Sequence, residues 1–172
     1  EYIKNCVAQV ACNFTTNRMF NDYIDKYYNP LYERSSRLIA SDYREAREIA
    51  LWKRKMRKGW EQLEIRETHF MSDAQEQLLL GKEVNSCIKV FVGDMDPKDI
   101  GIELVYAKQN AKGRYVKEGQ FSFEFDSFED GVATYKANIL PTSTGAYQIA
   151  GRIFAMSDKL PHRQDFELVR WL

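Results

Sequence analysis

The spacing of hydrophobic residues along the chain changes at about residue 60. Before that point, apolar and aromatic side chains recur every three or four positions, and after it they alternate with polar ones. The first spacing is typical of amphipathic helices and the second of strands with one buried face. The pattern therefore predicts an α+β fold with two parts, a helical segment over residues 1–60 and a strand-rich domain over residues 61–172.

The N-terminal part is predicted to contain about three helices. Thr15 and Thr16 are candidate caps for the second helix, and Pro30 lies near its end. The third helix is predicted to begin at Asp42, a good capping residue, and to stop at Gly59. Aromatic residues form stripes along these helices, and such stripes are usually core, so we expect them to be buried.

The C-terminal part is predicted to contain seven strands. Turn sequences rich in Gly, Pro, Asn and Asp separate them, and no helical pattern intervenes. About seven strands over ~110 residues indicate an antiparallel β-sandwich of immunoglobulin-like type. The predicted strands are Gln62–Phe70, Glu83–Val92, Gly101–Lys108, Gly119–Asp126, Val132–Leu140, Ala146–Met156 and Phe166–Trp171.

Composition favours a folded protein outside the membrane. Apolar residues make up 44% and aromatic residues 13% of the chain, which argues against a disordered segment. No apolar run approaches the ~20 residues that a membrane span needs. The three cysteines lack CxxC spacing, which favours reduced thiols. We therefore expect a cytoplasmic location.

The net charge of zero conceals an asymmetry between the two parts. Residues 1–60 carry 12 Lys and Arg against 7 Asp and Glu, and the remainder carries 13 against 18. The basic part is expected to face an acidic surface, either on the other part or on an upstream segment. Nucleic acid is not indicated, because the dense basic run at residues 53–58 lies at a helix end, where the helix dipole favours cations.

Motifs for catalysis and metal binding are missing from the sequence. His69 and His162 are far apart and neither has a neighbouring ligand at zinc spacing. Asp94, Asp96 and Asp99 share one loop but lack the register of an EF-hand, so a solvated turn is the favoured interpretation. No glycine-rich loop precedes a helix. The sequence thus predicts no catalytic, cofactor-binding or metal-binding residue in this chain.

Aromatic residues in a β-domain also suggest sugar stacking, since a flat exposed ring matches the face of a pyranose. Tyr115, in a charged loop, and Tyr147 are the two candidates. The alternative is that these rings fill the space between the sheets.

Several short motifs resemble those of one enzyme family. The run Phe-Thr-Thr-Asn-Arg-Met at residues 14–19, followed by Tyr-Tyr-Asn-Pro-Leu at 27–31, resembles the C-terminal region of α-glucan phosphorylases of the short bacterial and archaeal branch. Residues 83–92, 96–106 and 147–153 resemble strands of that branch's C-terminal β-domain. Two positions depart from the pattern, Phe20 in place of Val and Ala155 in place of Pro.

The resemblance implies a parent glycosyltransferase that uses pyridoxal phosphate and cleaves α-1,4-glucan with phosphate to give glucose 1-phosphate. The cofactor lysine and phosphate-binding residues of such enzymes lie in a segment that this chain does not contain, so none is carried over. The chain has no initial Met and opens within a helical pattern, and we expect it to be the tail of a longer protein.

Within such a parent, the expected role is structural. Residues 1–60 would pack on the upstream transferase domains, and Arg18, Tyr23 and Tyr27 are predicted to make interdomain contacts, although a solvated Arg18 is an equal alternative. Two other classes of function stay open, a carbohydrate-binding module that tethers the enzyme to glycogen or starch, and an oligomerisation domain. Independent enzyme activity is the least expected reading.

Overall fold

The computed structural model describes residues 1–11, 13–69 and 81–172 of the 172-residue chain. Cys12 and Phe70, the predicted end of the first strand, lie outside the described residues. Contacts divide the chain into two compact units, Glu1–Ala50 and Leu51–Leu172. The predicted domain boundary at residue 60 stays a prediction.

The order of elements is helical first and then strand-rich, so the α+β class is confirmed. The helices are α1 (Tyr2–Cys6), α2 (Thr16–Tyr23) and α3 (Asn29–Trp60), and π-helical turns at Val7–Ala11 and Ile24–Tyr28 continue the first two. The strands are β1 (Glu64–His69), β2 (Val84–Phe91), β3 (Ile100–Gln109), β4 (Tyr115–Glu129), β5 (Val132–Ile139), β6 (Tyr147–Ala155) and β7 (Val169–Trp171). Short 3₁₀ turns lie at Pro97–Asp99 and Arg163–Asp165.

The predicted division into three helices is not confirmed. Thr15 does cap α2, since its hydroxyl oxygen accepts a hydrogen bond from the backbone N–H of Arg18 at 3.2 Å. Pro30, however, lies inside continuous helix, two residues after the end of a π-helical turn at Tyr28. That wider turn relieves the clash that a proline ring makes with the preceding turn of an α-helix.

The interruption of α3 lies close to the predicted start of the third helix. Ser41, Asp42 and Tyr43 have φ of 53°, 54° and 59°, and Ala40 is extended. A left-handed backbone is costly for residues other than glycine. Asp42 is therefore part of a kink, where its carboxylate contacts Arg47 at 2.9 Å, and it does not act as a simple helix cap.

The prediction of buried aromatic stripes is wrong for the unit Glu1–Ala50. None of its described residues is buried. Large side chains that are about half exposed or more occur along its whole length: Tyr2, Ile3, Val7, Val10, Phe14, Met19, Phe20, Tyr23, Tyr27, Tyr28, Leu31, Tyr32, Ile39 and Tyr43. Hydrophobic periodicity correctly identified this part of the chain as helical, but within the described residues of Glu1–Ala50 the apolar side chains are not covered.

The unit Leu51–Leu172 contains the seven predicted strands, all antiparallel. They form one sheet in the order β1-β2-β5-β4-β3-β6-β7. The predicted immunoglobulin-like sandwich is not confirmed, because β4 belongs to both halves of this sheet. Residues Tyr115–Phe123 of β4 pair with β3, whereas Glu124–Glu129 pair with β5.

The hydrophobic core lies between the two halves of the sheet and the last turns of α3. Alternate residues of β2, β3, β5 and β6 point into it, as the period-two pattern predicted. Helix and loop residues complete it. The fully buried members include Met56, Leu63, Ile88, Val90, Ile102, Leu104, Ala133, Tyr135, Ile153 and Phe166.

Phe166 departs from its predicted place in the last strand, since β7 begins only at Val169. Its ring is 2% exposed and lies 5.2 Å from the ring of Trp52. The Arg57 guanidinium and the Lys53 ammonium lie 5.1 and 5.3 Å from the same ring. Phe166 thus fixes the loop before β7 to the last turns of α3 through packing and cation–π attraction.

Arg170 connects the last strand to the beginning of the sheet. Its guanidinium donates to the carbonyl of Leu63 at 2.5 Å and to that of Trp60, the last residue of α3, at 3.3 Å. Carbonyls at a helix C-terminus have no partner within the helix, and a cation there is favoured by the helix dipole. One side chain of β7 therefore donates hydrogen bonds to a carbonyl at the end of α3 and to the carbonyl just before β1.

We predict that a buried tyrosine makes stability fall at alkaline pH. Tyr135 is 1% exposed and its hydroxyl donates to the Pro97 carbonyl at 2.7 Å. Burial, assisted by the negative charge of Asp96, raises the pKa of Tyr135 above its ordinary value of 10.0. The folded state therefore binds a proton that the unfolded chain loses above pH ~10, so stability is retained below that pH and decreases above it.

Urea unfolding of the wild-type chain and of Tyr135→Phe at several pH values tests this prediction. At pH 7 the variant should be less stable by about 1 kcal/mol, because the Pro97 carbonyl loses its donor. Above pH 10 the difference should shrink, since the variant has no hydroxyl to ionise. A difference that stays constant from pH 7 to 11 would contradict the prediction.

Candidate functional site

Two of the three predicted interdomain residues lie on α2, and Tyr27 lies in the π-helical turn that follows. The Arg18 guanidinium contacts the Asp22 carboxylate at 3.3 Å and lies 5.2 Å from the centre of the Phe14 ring. The rings of Tyr23 and Tyr27 are 6.0 Å apart and tilted by 51°. Arg18 is thus held by local contacts, and its predicted interdomain contact stays a prediction.

Asp22 connects two cations on this helical face. Its carboxylate also contacts the Lys26 ammonium at 3.0 Å. The hydrogen bond from Lys26 is the main cause that lowers the pKa of Asp22; burial opposes it, and the charges of Lys26 and Arg18 lower the pKa further. All three side chains are exposed to solvent, so these ion pairs organise the surface and contribute little to stability.

The structure places the two predicted sugar-stacking residues on opposite faces of the sheet. Tyr115 pairs with Gln109 of β3, and Tyr147 pairs with Lys108, the residue before it. Neighbouring residues of a strand point to opposite faces. Tyr115 and Tyr147 therefore cannot form one stacking platform, and Tyr147 shares the face that leads into the core.

Tyr147 belongs to an aromatic cluster at the open end of the core. The Tyr106 ring stacks on Phe121 at 5.3 Å and meets Tyr147 edge-on at 5.7 Å. The Tyr147 hydroxyl is 2.6 Å from that of Ser143. The Tyr106 ring lies directly over Gly119, where a β-carbon would be 2.3 Å from the tyrosine oxygen. These rings therefore close the core, and Gly119 provides the space for one of them.

A hydrogen-bonded polar cluster surrounds the buried Glu103, and the sequence did not predict it. The Glu103 side chain is 6% exposed. One carboxylate oxygen accepts from Arg152 at 2.6 and 2.9 Å, and the other accepts from Arg163 at 2.5 Å and from Gln120 at 3.1 Å. We call Glu103, Arg152, Arg163 and Gln120 the Glu103 cluster. Its hydrogen bonds satisfy both oxygens of a buried carboxylate, as a buried charge requires.

Strand register brings this cluster to the outer face of the sheet. Glu103 of β3 lies opposite Arg152 of β6 and Ser122 of β4, and Arg152 in turn lies opposite Trp171 of β7. Ile102 and Leu104, the neighbours of Glu103 on the strand, point the other way into the core. The row Ser122, Glu103, Arg152 and Trp171 therefore crosses four strands, and we call it the outer row.

An open groove of about 400 Å³ begins at the Ser122 end of the outer row. It is lined mainly by polar residues of β4 and β5: Ser122, Glu124, Phe125, Asp126, Lys136, Ala137 and Asn138. The Lys136 ammonium contacts the Asp126 carboxylate at 2.8 Å, and this hydrogen bond raises the pKa of Lys136. An ion-paired carboxylate is a poor general acid at neutral pH.

The described residues do not fit a metal ion or pyridoxal phosphate. Within them, no group of three or more His, Cys, Asp and Glu side chains is placed to hold a metal. None of the described lysines is buried, whereas pyridoxal phosphate is held by a lysine within an enclosed site. No helix in the described part of the chain is long and apolar enough to cross a membrane.

The strand-rich unit thus carries the Glu103 cluster and the polar groove on the outer face of its sheet. The family model for the glycogen phosphorylase C-terminal domain matches residues 60–172. The chain belongs to this family. The resemblance to the C-terminal region of α-glucan phosphorylases, which the short motifs predicted, is thereby confirmed.

One curated relative extends the match into the helical unit. The maltodextrin phosphorylase of Thermococcus litoralis is 25% identical over 175 residues, which cover 98% of this chain and 20% of that protein. The glycogen phosphorylase of Mycobacterium tuberculosis is 22% identical over 111 residues, covering 64% of this chain and 13% of that protein. The chain thus spans a fifth or less of the length of these relatives. No solved structure matches it.

We predict that the Glu103 cluster stabilises this phosphorylase domain. Glu103→Gln preserves shape but leaves two guanidinium groups without their anion, and the loss of one partner from a buried ion pair costs about 3 kcal/mol. Urea unfolding at neutral pH, followed by circular dichroism, measures the change.

Glu124→Gln is the matched control. Glu124 lies on β4 and is exposed, and surface substitutions of this kind usually change stability by less than ~0.5 kcal/mol. Equal effects of the two substitutions would show that burial of the Glu103 cluster contributes no stability.

Proposed function

We propose that this chain is the non-catalytic C-terminal part of an α-glucan phosphorylase and that its role is to support and orient the transferase domains. The parent would cleave α-1,4-glucan with phosphate and release glucose 1-phosphate, in the cytoplasm. Membership of the C-terminal domain family and the named relatives, a maltodextrin and a glycogen phosphorylase, support the parent activity.

The observation that carries the structural role is the exposure of the helical unit. In Glu1–Ala50, aromatic side chains such as Phe20, Tyr23 and Tyr27 are 57%, 47% and 56% exposed. A soluble domain rarely leaves large contiguous apolar surface uncovered. The relatives are about five times as long as this chain or longer, so their remaining length provides room for domains that would cover these helices.

Pyridoxal phosphate belongs to the parent in this proposal and not to this chain. When bound, that cofactor would supply the phosphate group chemistry of the reaction. The residues described here do not fit it, and no step of phosphorolysis is assigned to them.

A direct assay separates a non-catalytic chain from an enzyme. We expect the 172-residue chain, mixed with glycogen, inorganic phosphate and pyridoxal phosphate, to release no glucose 1-phosphate. Release that depends on chain concentration would overturn the proposal.

The supporting role predicts that two aromatic rings matter only when the transferase domains are present. We predict that Tyr23→Ala/Tyr27→Ala leaves the isolated chain as stable as before, because both rings are exposed and Ala is a better helix former. When the chain is joined to the transferase domains, the same variant should have a free energy of unfolding lower by about 2 kcal/mol for each ring that those domains bury. Thermal unfolding of both forms, with phosphorylase activity of the longer one, measures this.

Asp25→Asn, an exposed polar change in the same helical segment, is the control and should alter neither form. If the double variant and the control behave alike in the longer protein, the helical face is not covered by the transferase domains. Sedimentation of the 172-residue chain at several concentrations then tests the oligomerisation alternative, which predicts a concentration-dependent dimer that the double variant weakens.

A further inference from the structure

The outer row ends at a tryptophan that is held in place yet open to solvent. Trp171 is 58% exposed, although it lies within β7 and its neighbour Arg170 anchors that strand to the end of α3. Trp52 and Trp60, the other two tryptophans, are half-buried and buried. Trp171 is therefore the most exposed of the three tryptophans.

An arginine packs against one face of the Trp171 ring. The Arg152 guanidinium lies 5.6 Å from the ring centre, within cation–π range. Arg152 is itself fixed, because two of its nitrogens donate to Glu103 at 2.9 and 2.6 Å. A ring that is ordered before binding loses little conformational entropy when a ligand stacks on it, so this arrangement favours binding.

The chemistry of the outer row suits a neutral polyol. The Glu103 carboxylate is shared by the Arg152 and Arg163 guanidinium groups, so each charged group has a partner, and the three together carry one net positive charge. Hydrogen-bonding groups remain at its margins, because Ser122 is exposed and the Arg163 side chain is 37% exposed. A pyranose has an apolar C–H face, which stacks on an indole, and a rim of hydroxyls, which bond to such groups.

We propose that Trp171 is the stacking platform of an α-glucan binding subsite on the outer face of the sheet, with Arg152 as its positioning residue. The outer row spans three strand spacings, about 14 Å, from Trp171 to Ser122. There it meets the polar groove of about 400 Å³. A surface of this length suits several linked glucose units. This inference rests on the proposed function for its choice of glucan as the polyol.

Affinity electrophoresis of the 172-residue chain in gels containing amylopectin tests the subsite. The wild-type chain should be retarded in amylopectin but not in a gel containing a β-linked glucan. Trp171→Ala should weaken binding about tenfold or more. Tyr147→Ala, on the opposite face of the sheet, is the matched control and should be retarded like the wild type. Retardation lost in Tyr115→Ala but kept in Trp171→Ala would place the site elsewhere and overturn the proposal.

Tryptophan fluorescence provides a second readout that does not depend on mobility. Maltoheptaose should protect Trp171 from quenching by acrylamide, and this protection should be absent in Trp171→Ala, whose fluorescence comes from Trp52 and Trp60. Maltose should bind more weakly than maltoheptaose, since it spans less of the outer row. Circular dichroism and thermal unfolding establish that each variant is folded. Absence of both retardation and protection in the wild-type chain would refute the subsite.

This outcome is distinguishable from failure of the proposed function. If the wild-type chain bound no glucan, the two experiments on the proposed function would be unaffected. The chain would still release no glucose 1-phosphate, and the Tyr23→Ala/Tyr27→Ala variant would still destabilise the longer protein. Conversely, a chain that releases glucose 1-phosphate by itself would refute the supporting role, whether or not Trp171 binds glucan.

Discussion

The strand-rich unit depends on the passage of one strand from one half of the sheet to the other. β4 has 15 residues, and its pairing partner changes from β3 to β5 between Phe123 and Glu124. An irregularity in register follows between Phe125 and Ser127, and such bulges bend a strand and increase its twist. The bend lets both halves of one continuous sheet face the same core. Without it, Ile102 on one half and Tyr135 on the other would not belong to a common core.

Local pattern was sufficient to predict the strands but not how they associate. The predicted strand Gly119–Asp126 lies within β4. The pattern did not show that the strand continues to Glu129 and changes partner, because pairing depends on residues that are distant in sequence. Periodicity reports which side of a strand is buried, and a two-sheet sandwich and a single curled sheet bury the same sides. Topology therefore could not be settled from the pattern.

The Glu103 cluster illustrates the same limit for polar residues. Its three partners lie 17, 49 and 60 residues away along the chain. A single glutamate within an apolar strand gives no local indication of partners that lie so far off. The register of β3 with β4 and β6 creates the contacts with Gln120 and Arg152, and the 3₁₀ turn at Arg163–Asp165 adds the third. Because these hydrogen bonds share one carboxylate, only double-mutant cycles can apportion their energies.

Large aromatic residues are buried in the core of the strand-rich unit, whereas those of the helical unit are exposed. In the strand-rich unit, Phe166 and Tyr135 are buried because strands, loop and helix end converge on them within this chain. The helical unit is amphipathic, but none of its described residues is buried, because a stripe is buried only where a second layer packs on it. Hydrophobic periodicity thus predicts that a face will be covered, and only the tertiary structure shows what covers it. The strand-rich unit has a hydrophobic core of its own, whereas the helical unit has an apolar face on which another surface could pack.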